Sequence, residues 1–121
     1  MSVDGTLDPA ALTYLSEITG GDEAFLDELI ETFLTDAEDQ VSSLRAAVAT
    51  GSVDALIRPA HSMKSNAASV GATTLAELSR TLEADARGGA VESSSERVEA
   101  IVAEVAAVRL ALREIRRKGG A

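Results

Sequence analysis

Residues 54–71 read DALIRPAHSMKSNAASVG, and the spacing of their apolar side chains decides the fold prediction. At about 100° per residue, a helix gathers five of these side chains into one stripe. The stripe consists of Leu56, Ala60, Met63, Ala67 and Val70. By the same geometry His61, the chain's single histidine, lies roughly 140° from the centre of the stripe. If the stripe faces the core, His61 lies on the outer face of the helix.

A proline interrupts this helical pattern. Pro59 lacks a backbone N–H, and its ring clashes with the preceding turn of a helix. The helix therefore either continues through Pro59 with a kink or begins at Pro59 after a separate turn over residues 53–57. We favour the continuous, kinked helix.

Apolar residues recur at helical spacing on both sides of this stretch, and glycines mark the boundaries. No segment alternates with a period of two, and the short connections predict antiparallel neighbours. We therefore expect an all-α, antiparallel up-down four-helix bundle with a short additional N-terminal helix. It forms a single domain over residues 1–121, with an ordered core over about 8–117. The predicted helices are a short one over 8–19, one that Asp22 caps and that runs to about Thr50 before Gly51, one ending near Gly71, one through Leu75–Ala86, and one through Val98–Ile115.

The composition limits what the chain can do. Aromatic residues make up 2% of the sequence, against 45% hydrophobic residues, so the core is aliphatic and favours helices. The absence of cysteine excludes disulfides and thiolate metal sites. We find no signal peptide and no apolar run long enough for a membrane span, so a cytoplasmic protein without a membrane partner is the expectation.

Charge is spread unevenly along the chain. The net charge is -9, and residues 1–60 hold twelve acidic side chains but only two basic ones. Such an acidic half would repel phosphates, so we expect no nucleic-acid partner. The basic cluster at 113–118 lies at the end of a helical pattern, where it suits the helix dipole.

The surroundings of His61 make it reachable. Small residues flank it on the helix, and Ile57 and Ala68 form an apolar border that a partner could cover. Lys64 lies one turn away. These features are weak individually, and a lone exposed histidine can equally be idle.

The run Ala60-His61-Ser62-Met63-Lys64-Ser65-Asn66-Ala67-Ala68-Ser69-Val70-Gly71 resembles the signature of the histidine-containing phosphotransfer (HPt) family. That signature is Ala-His, any residue, an apolar residue, Lys, a small residue, and Gly ten positions after the histidine. Residues 21–34 and 75–83 resemble the helices before and after it, and the similarity covers about 8–115. Two positions depart from the pattern: Ser65 stands where Gly is common, and Asn66 where a small hydroxyl residue is common.

The resemblance implies a role for each of these residues. His61 would accept a phosphoryl group, and Lys64 would support its charge. Ser65, Asn66 and Gly71 would play supporting parts, while Ile57 and Ala68 would dock the partner receiver.

The resemblance also implies partners and cofactors. The partners would be response-regulator receiver domains and a sensor histidine kinase, and the protein itself would be a monomer. No metal or cofactor is expected on this chain, since the receiver would supply Mg²⁺. We expect no autonomous kinase activity, and whether a phosphocarrier counts as an enzyme stays open.

Two other interpretations remain, and a third is disfavoured. The chain could be a non-catalytic HPt-like helical interaction module that docks receivers or kinases. It could be the phosphorylated substrate domain of a chemotaxis-type kinase. A di-iron helical bundle needs Glu-x-x-His pairs, which a chain with one histidine does not supply.

Overall fold

The structure is a computed structural model that describes residues 22–89 and 94–119, together with Thr13, Glu17, Gly20 and Glu92. In this part of the chain four helices follow one another and no strand occurs, which confirms the all-α prediction. Apart from Thr13 and Glu17, the predicted short helix over 8–19 lies outside the described residues and stays a prediction. The four helices are α1 (Glu23–Thr50), α2 (Asp54–Ser69), α3 (Thr73–Arg87) and α4 (Ser94–Gly119).

Each helix packs against the next one along the chain, and α4 also packs against α1, which closes the bundle. Two ion pairs join α1 to α4 on the surface, one between Arg45 and Glu99 at 3.0 Å and one between Arg109 and Glu38. None of the described helices combines the length and hydrophobicity that crossing a membrane requires.

The first turn of α1 is capped as its sequence predicts. The Asp22 carboxylate accepts hydrogen bonds from the backbone N–H of Ala24 at 3.0 Å and of Phe25 at 3.2 Å. Two of the N–H groups that a helix start leaves without partners are thereby satisfied. The position of Asp22 thus sets where the longest helix begins.

The end of α2 is set by Gly71. Its φ of 75° lies in the left-handed region, which glycine adopts without a steric penalty. The Gly71 N–H donates to the Ala68 carbonyl at 3.1 Å, and the Ala72 N–H donates to the Ala67 carbonyl at 2.8 Å. These two bonds form a Schellman motif, which reverses the chain and sends α3 back along α2.

Pro59 lies inside α2, so the predicted continuity of this helix is confirmed, while the kink stays a prediction. The missing N–H of Pro59 leaves the Ala55 carbonyl without its usual helical partner. The hydroxyl of Ser52 accepts the N–H of Ala55 at 3.2 Å and supports this first turn.

The core lies between the four helices, and the apolar stripe of α2 forms part of it. All five stripe residues are buried, as predicted. Burying one large aliphatic side chain stabilises a fold by roughly 1.5–3 kcal/mol, so this shared core fixes the rotation of α2 about its axis. The largest fully buried side chains are Ile30, Leu44, Leu56, Met63, Leu75, Leu82, Ile101 and Leu112.

Candidate functional site: an exposed histidine above a buried carboxylate

His61 projects from the outer face of α2, with 54% of its side chain exposed. Its Nδ1 atom lies 3.1 Å from Oε2 of Glu83 on α3. An ionised carboxylate can only accept a hydrogen bond, so this contact requires the proton on Nδ1. The other ring nitrogen, Nε2, then carries the free lone pair and has no partner among the described residues.

Glu83 is buried although it is charged, because it lies on the apolar side of α3 next to Leu82 and Ala86. A buried carboxylate is costly unless other groups compensate its charge. Here its Oε1 atom lies 2.9 Å from Nζ of Lys64. Its Oε2 atom lies 2.7 Å from Nη2 of Arg87 and accepts a hydrogen bond from the Nε of Arg87 at 2.9 Å.

These contacts keep Glu83 ionised. The Lys64 ammonium first, and then the Arg87 guanidinium, lower the pKa of Glu83 to about 2, and the His61 ring contributes in the same direction. Burial acts against them and raises the pKa, but the hydrogen bonds outweigh it. At neutral pH the site therefore holds one fixed anion directly behind the imidazole.

The same carboxylate organises both cations beside His61. Lys64 lies one turn after His61 on α2 and is one-third exposed, while Arg87 lies one turn after Glu83 on α3. Since Arg87 and His61 contact the same carboxylate oxygen, the guanidinium and the imidazole are close neighbours. The result is an exposed, oriented imidazole with two cations at its side.

The other residues singled out from the sequence lie along α2. Ser65 is exposed and makes no hydrogen bond to another described residue. Asn66 is half-buried, and its backbone carbonyl accepts the hydroxyl of Ser69 at 2.8 Å. Ile57 is half-buried against the core, whereas Ala68 is exposed. Gly71 ends the helix. The functional roles assigned to these residues stay predictions.

Glu83 and Arg87 are the site residues that the sequence analysis did not single out. One signal was present: an acidic residue falls between Leu82 and Ala86, on the side of the helix where the apolar residues recur. A basic residue four positions after it is a typical helical ion pair. Among the described residues, no group of three or more histidine or acidic side chains could hold a metal ion.

The chain belongs to the Hpt domain family, whose family model matches residues 28–115. The match includes the whole of α2 and α3, and so every residue of the site above. Proteins of this family work with receiver domains and kinases in phosphorelays.

A solved structure supports the same assignment. The chain is similar to histidine-containing phosphotransfer protein B (HptB) from Pseudomonas aeruginosa PAO1, with 33% sequence identity and a TM-score of 0.86. The alignment covers 93% of this chain and 96% of that one. A comparison with curated protein sequences finds no significant match.

Proposed function

We propose that this chain is a phosphocarrier of a two-component phosphorelay. His61 reversibly accepts a phosphoryl group from the aspartate of a receiver domain, or from a kinase, and passes it to another receiver. The observation that supports this most is the contact between His61 Nδ1 and Glu83, which leaves Nε2 free on an exposed surface. Membership of the Hpt domain family points the same way.

In the proposed reaction, the lone pair of Nε2 attacks the phosphorus of the receiver's aspartyl phosphate. A nitrogen–phosphorus bond forms while the bond between phosphorus and the carboxylate oxygen breaks, and the aspartate leaves as a carboxylate. The proton stays on Nδ1, so no base has to remove it in this step. In the reverse direction the carboxylate of a receiver attacks the same phosphorus.

Glu83 favours this step electrostatically. As Nε2 bonds to phosphorus, positive charge develops on the imidazole ring. The buried carboxylate is already in place 3.1 Å from Nδ1 to stabilise that charge, so little reorganisation is needed. The same contact holds the ring in one orientation for attack.

Lys64 and Arg87 are proposed to stabilise the incoming phosphoryl oxygens. Phosphoryl transfer gains mainly from positioning and from neutralising charge on those oxygens. The proposal assigns Mg²⁺ and most of the catalytic groups to the receiver, so this chain has no kinase activity of its own. We further propose that it acts in the cytoplasm. We also propose that it is a monomer, which sedimentation of the purified protein would test.

The direct test is transfer of label from a phosphorylated receiver in the presence of Mg²⁺. We expect the wild-type chain to acquire an acid-labile, base-stable phosphoryl group and His61→Gln to acquire none. Because the chain has a single histidine, any phosphohistidine found must be at this position. A panel of receivers from the source organism would identify the cognate ones.

Two outcomes would count against the proposal. If His61→Gln takes up label as well as the wild type does, the site is wrong. If receivers bind the wild-type chain but none transfers label to it, the non-catalytic interaction module becomes the better interpretation.

A further inference from the structure

The four basic residues on α2 and α3 differ in whether a carboxylate of this chain pairs with them. Lys64 and Arg87 are both paired with Glu83, and Arg80 is paired with Glu77 at 2.8 Å. Arg58 is exposed and has no carboxylate partner among the described residues. Even Asp54, one turn earlier on the same helix, makes no ion pair with it.

Arg58 is also close to the reactive histidine. It lies three residues before His61, whereas Lys64 lies three residues after it. By helical geometry the two cations therefore flank His61 about 60° to either side. Lys64 occupies the flank that faces α3, where it contacts Glu83. Arg58 thus lies on the opposite flank, away from α3.

The residues beside Arg58 leave it accessible. Ser62 and Ser65 share its flank of α2 and are small, so no bulky neighbour covers the guanidinium. Because Arg58 has no internal ion pair to break, a partner's carboxylate could bind it without displacing an existing contact. For Lys64 and Arg87, such binding would compete with Glu83.

The net charge of the chain indicates that Arg58 would favour an acidic partner surface. A receiver that carries a phosphorylatable aspartate and binds Mg²⁺ presents carboxylates around that site, because oxygen ligands hold this ion. The present chain has a net charge of -9, so an acidic surface approaching His61 would meet general repulsion. An unpaired cation next to His61 offsets that repulsion at the point of contact.

We propose that Arg58 is a docking residue that binds an acidic side chain of the receiver beside its phosphorylated aspartate. This inference rests on the proposed phosphocarrier function. It assigns Arg58 to recognition, while His61, Lys64 and Glu83 serve the transfer itself. Receivers with an acidic residue at the matching position are then preferred over those without one.

The test compares Arg58→Ala and Arg58→Glu with Arg113→Ala and Arg113→Glu. Arg113 is a matched control, since it is exposed on α4 and has no ion-pair partner among the described residues. We expect Arg58→Glu to raise the KM for the phosphorylated receiver about tenfold and Arg58→Ala about threefold, with kcat within twofold of wild type. The salt dependence of kcat/KM should weaken in the Arg58 variants alone.

Two results would overturn the inference. If Arg58→Glu changes KM no more than Arg113→Glu does, Arg58 has no role in docking. If kcat falls while KM is unchanged, Arg58 acts on the phosphoryl group instead of the receiver. Circular dichroism should show that all four variants keep the helical fold, because both arginines are exposed.

A binding assay separates this inference from the phosphocarrier function. Titrating an unphosphorylated receiver with His61→Gln, with and without Arg58→Glu, measures docking in the absence of transfer. Weaker binding with Arg58→Glu supports the docking role even if the wild-type chain accepts no phosphoryl group. Equal binding by the two variants, or no binding by either, overturns it.

Discussion

The Oε2 atom of Glu83 lies 3.1 Å from Nδ1 of His61, although the two residues are 22 positions apart in the sequence and belong to different helices. The antiparallel packing of α2 and α3 creates this contact. It decides which ring nitrogen carries the proton, and it places a buried anion behind an exposed imidazole. The first three predictions below concern Glu83 and the groups that it contacts.

Removing the carboxylate should change the tautomer of His61. In the wild-type protein at a pH where the ring is neutral, ¹⁵N NMR should show the proton on Nδ1. Glu83→Ala should shift the proton toward Nε2 and slow transfer by about tenfold or more, because the nucleophilic lone pair is then misplaced. Glu83→Gln keeps a hydrogen-bond acceptor, so its tautomer population and its transfer rate should lie between those of the wild type and Glu83→Ala.

Glu77→Gln is the control for these variants, since Glu77 is an exposed, arginine-paired acid on the same helix. It should leave both the tautomer and the transfer rate unchanged. An Nδ1 proton that persists in Glu83→Ala would show that another group orients the ring.

Lys64→Ala should slow transfer by about tenfold without unfolding the bundle, because a cation that stabilises the phosphoryl oxygens is lost. Arg87 still compensates the charge of Glu83 in this variant, so the helical fold should persist. The measurements are single-turnover transfer kinetics and thermal unfolding. Arg80→Ala, in which an exposed cation on α3 is removed, should transfer at the wild-type rate; an equal loss in both variants would point to a general effect of charge.

Acid should destabilise the wild-type protein more than it destabilises the Glu83→Gln variant. The ordinary pKa of a glutamate is 4.5, and that of Glu83 in the folded protein is about 2. Between pH 4.5 and pH 2 the unfolded state binds more protons at this position than the folded state does. The stabilisation that Glu83 contributes is therefore complete above about pH 4.5 and is lost as the pH falls through 2. At neutral pH this contribution to the free energy of unfolding is at most about 3 kcal/mol.

The measurement is urea unfolding of both proteins between pH 7 and pH 2. The difference in the free energy of unfolding between wild type and Glu83→Gln should shrink as the pH falls. A difference that stays constant over this range would mean that Glu83 contributes no pH-dependent stability.

Gly71→Ala should destabilise the protein by about 1–2 kcal/mol, because φ at this position is 75° and a Cβ there clashes with the backbone. Gly88→Ala provides the comparison. Gly88 has a φ of -84°, and a Cβ would meet only the carbonyl oxygens of Ala84 at 3.6 Å and Asp85 at 3.7 Å, which are ordinary contacts. Denaturant unfolding should show Gly88→Ala within about 0.5 kcal/mol of wild type; equal losses would exclude backbone strain as the cause.

Much of the fold could be predicted because its signals are local. The Asp22 cap, the stops at Gly51 and Gly71, and the buried stripe of α2 each depend on residues within a few positions of one another. Pro59 was the ambiguous element, since local rules allow either a helix start or an interior position. Packing of the stripe on both sides of Pro59 settles it in favour of one continuous helix.

The candidate site could also be predicted only in part from the sequence. The phase of α2 alone predicts that His61 is exposed and that Lys64 is one turn away, and the family resemblance assigns their chemistry. The sequence shows an acidic residue at position 83 but not what it contacts. Its burial depends on the register between α2 and α3, which no local pattern specifies.

By itself, then, the sequence determined the four described helices, the start of α1, the ends of α1 and α2, the core face of α2 and the outward position of His61, because periodicity and capping act over a single turn. Only the tertiary structure decided that Glu83 pairs with His61, Lys64 and Arg87, and that Arg58 is left without a carboxylate. The physical reason is that charge compensation depends on distances across the helix interface. Those distances exist only once α3 has folded back along α2.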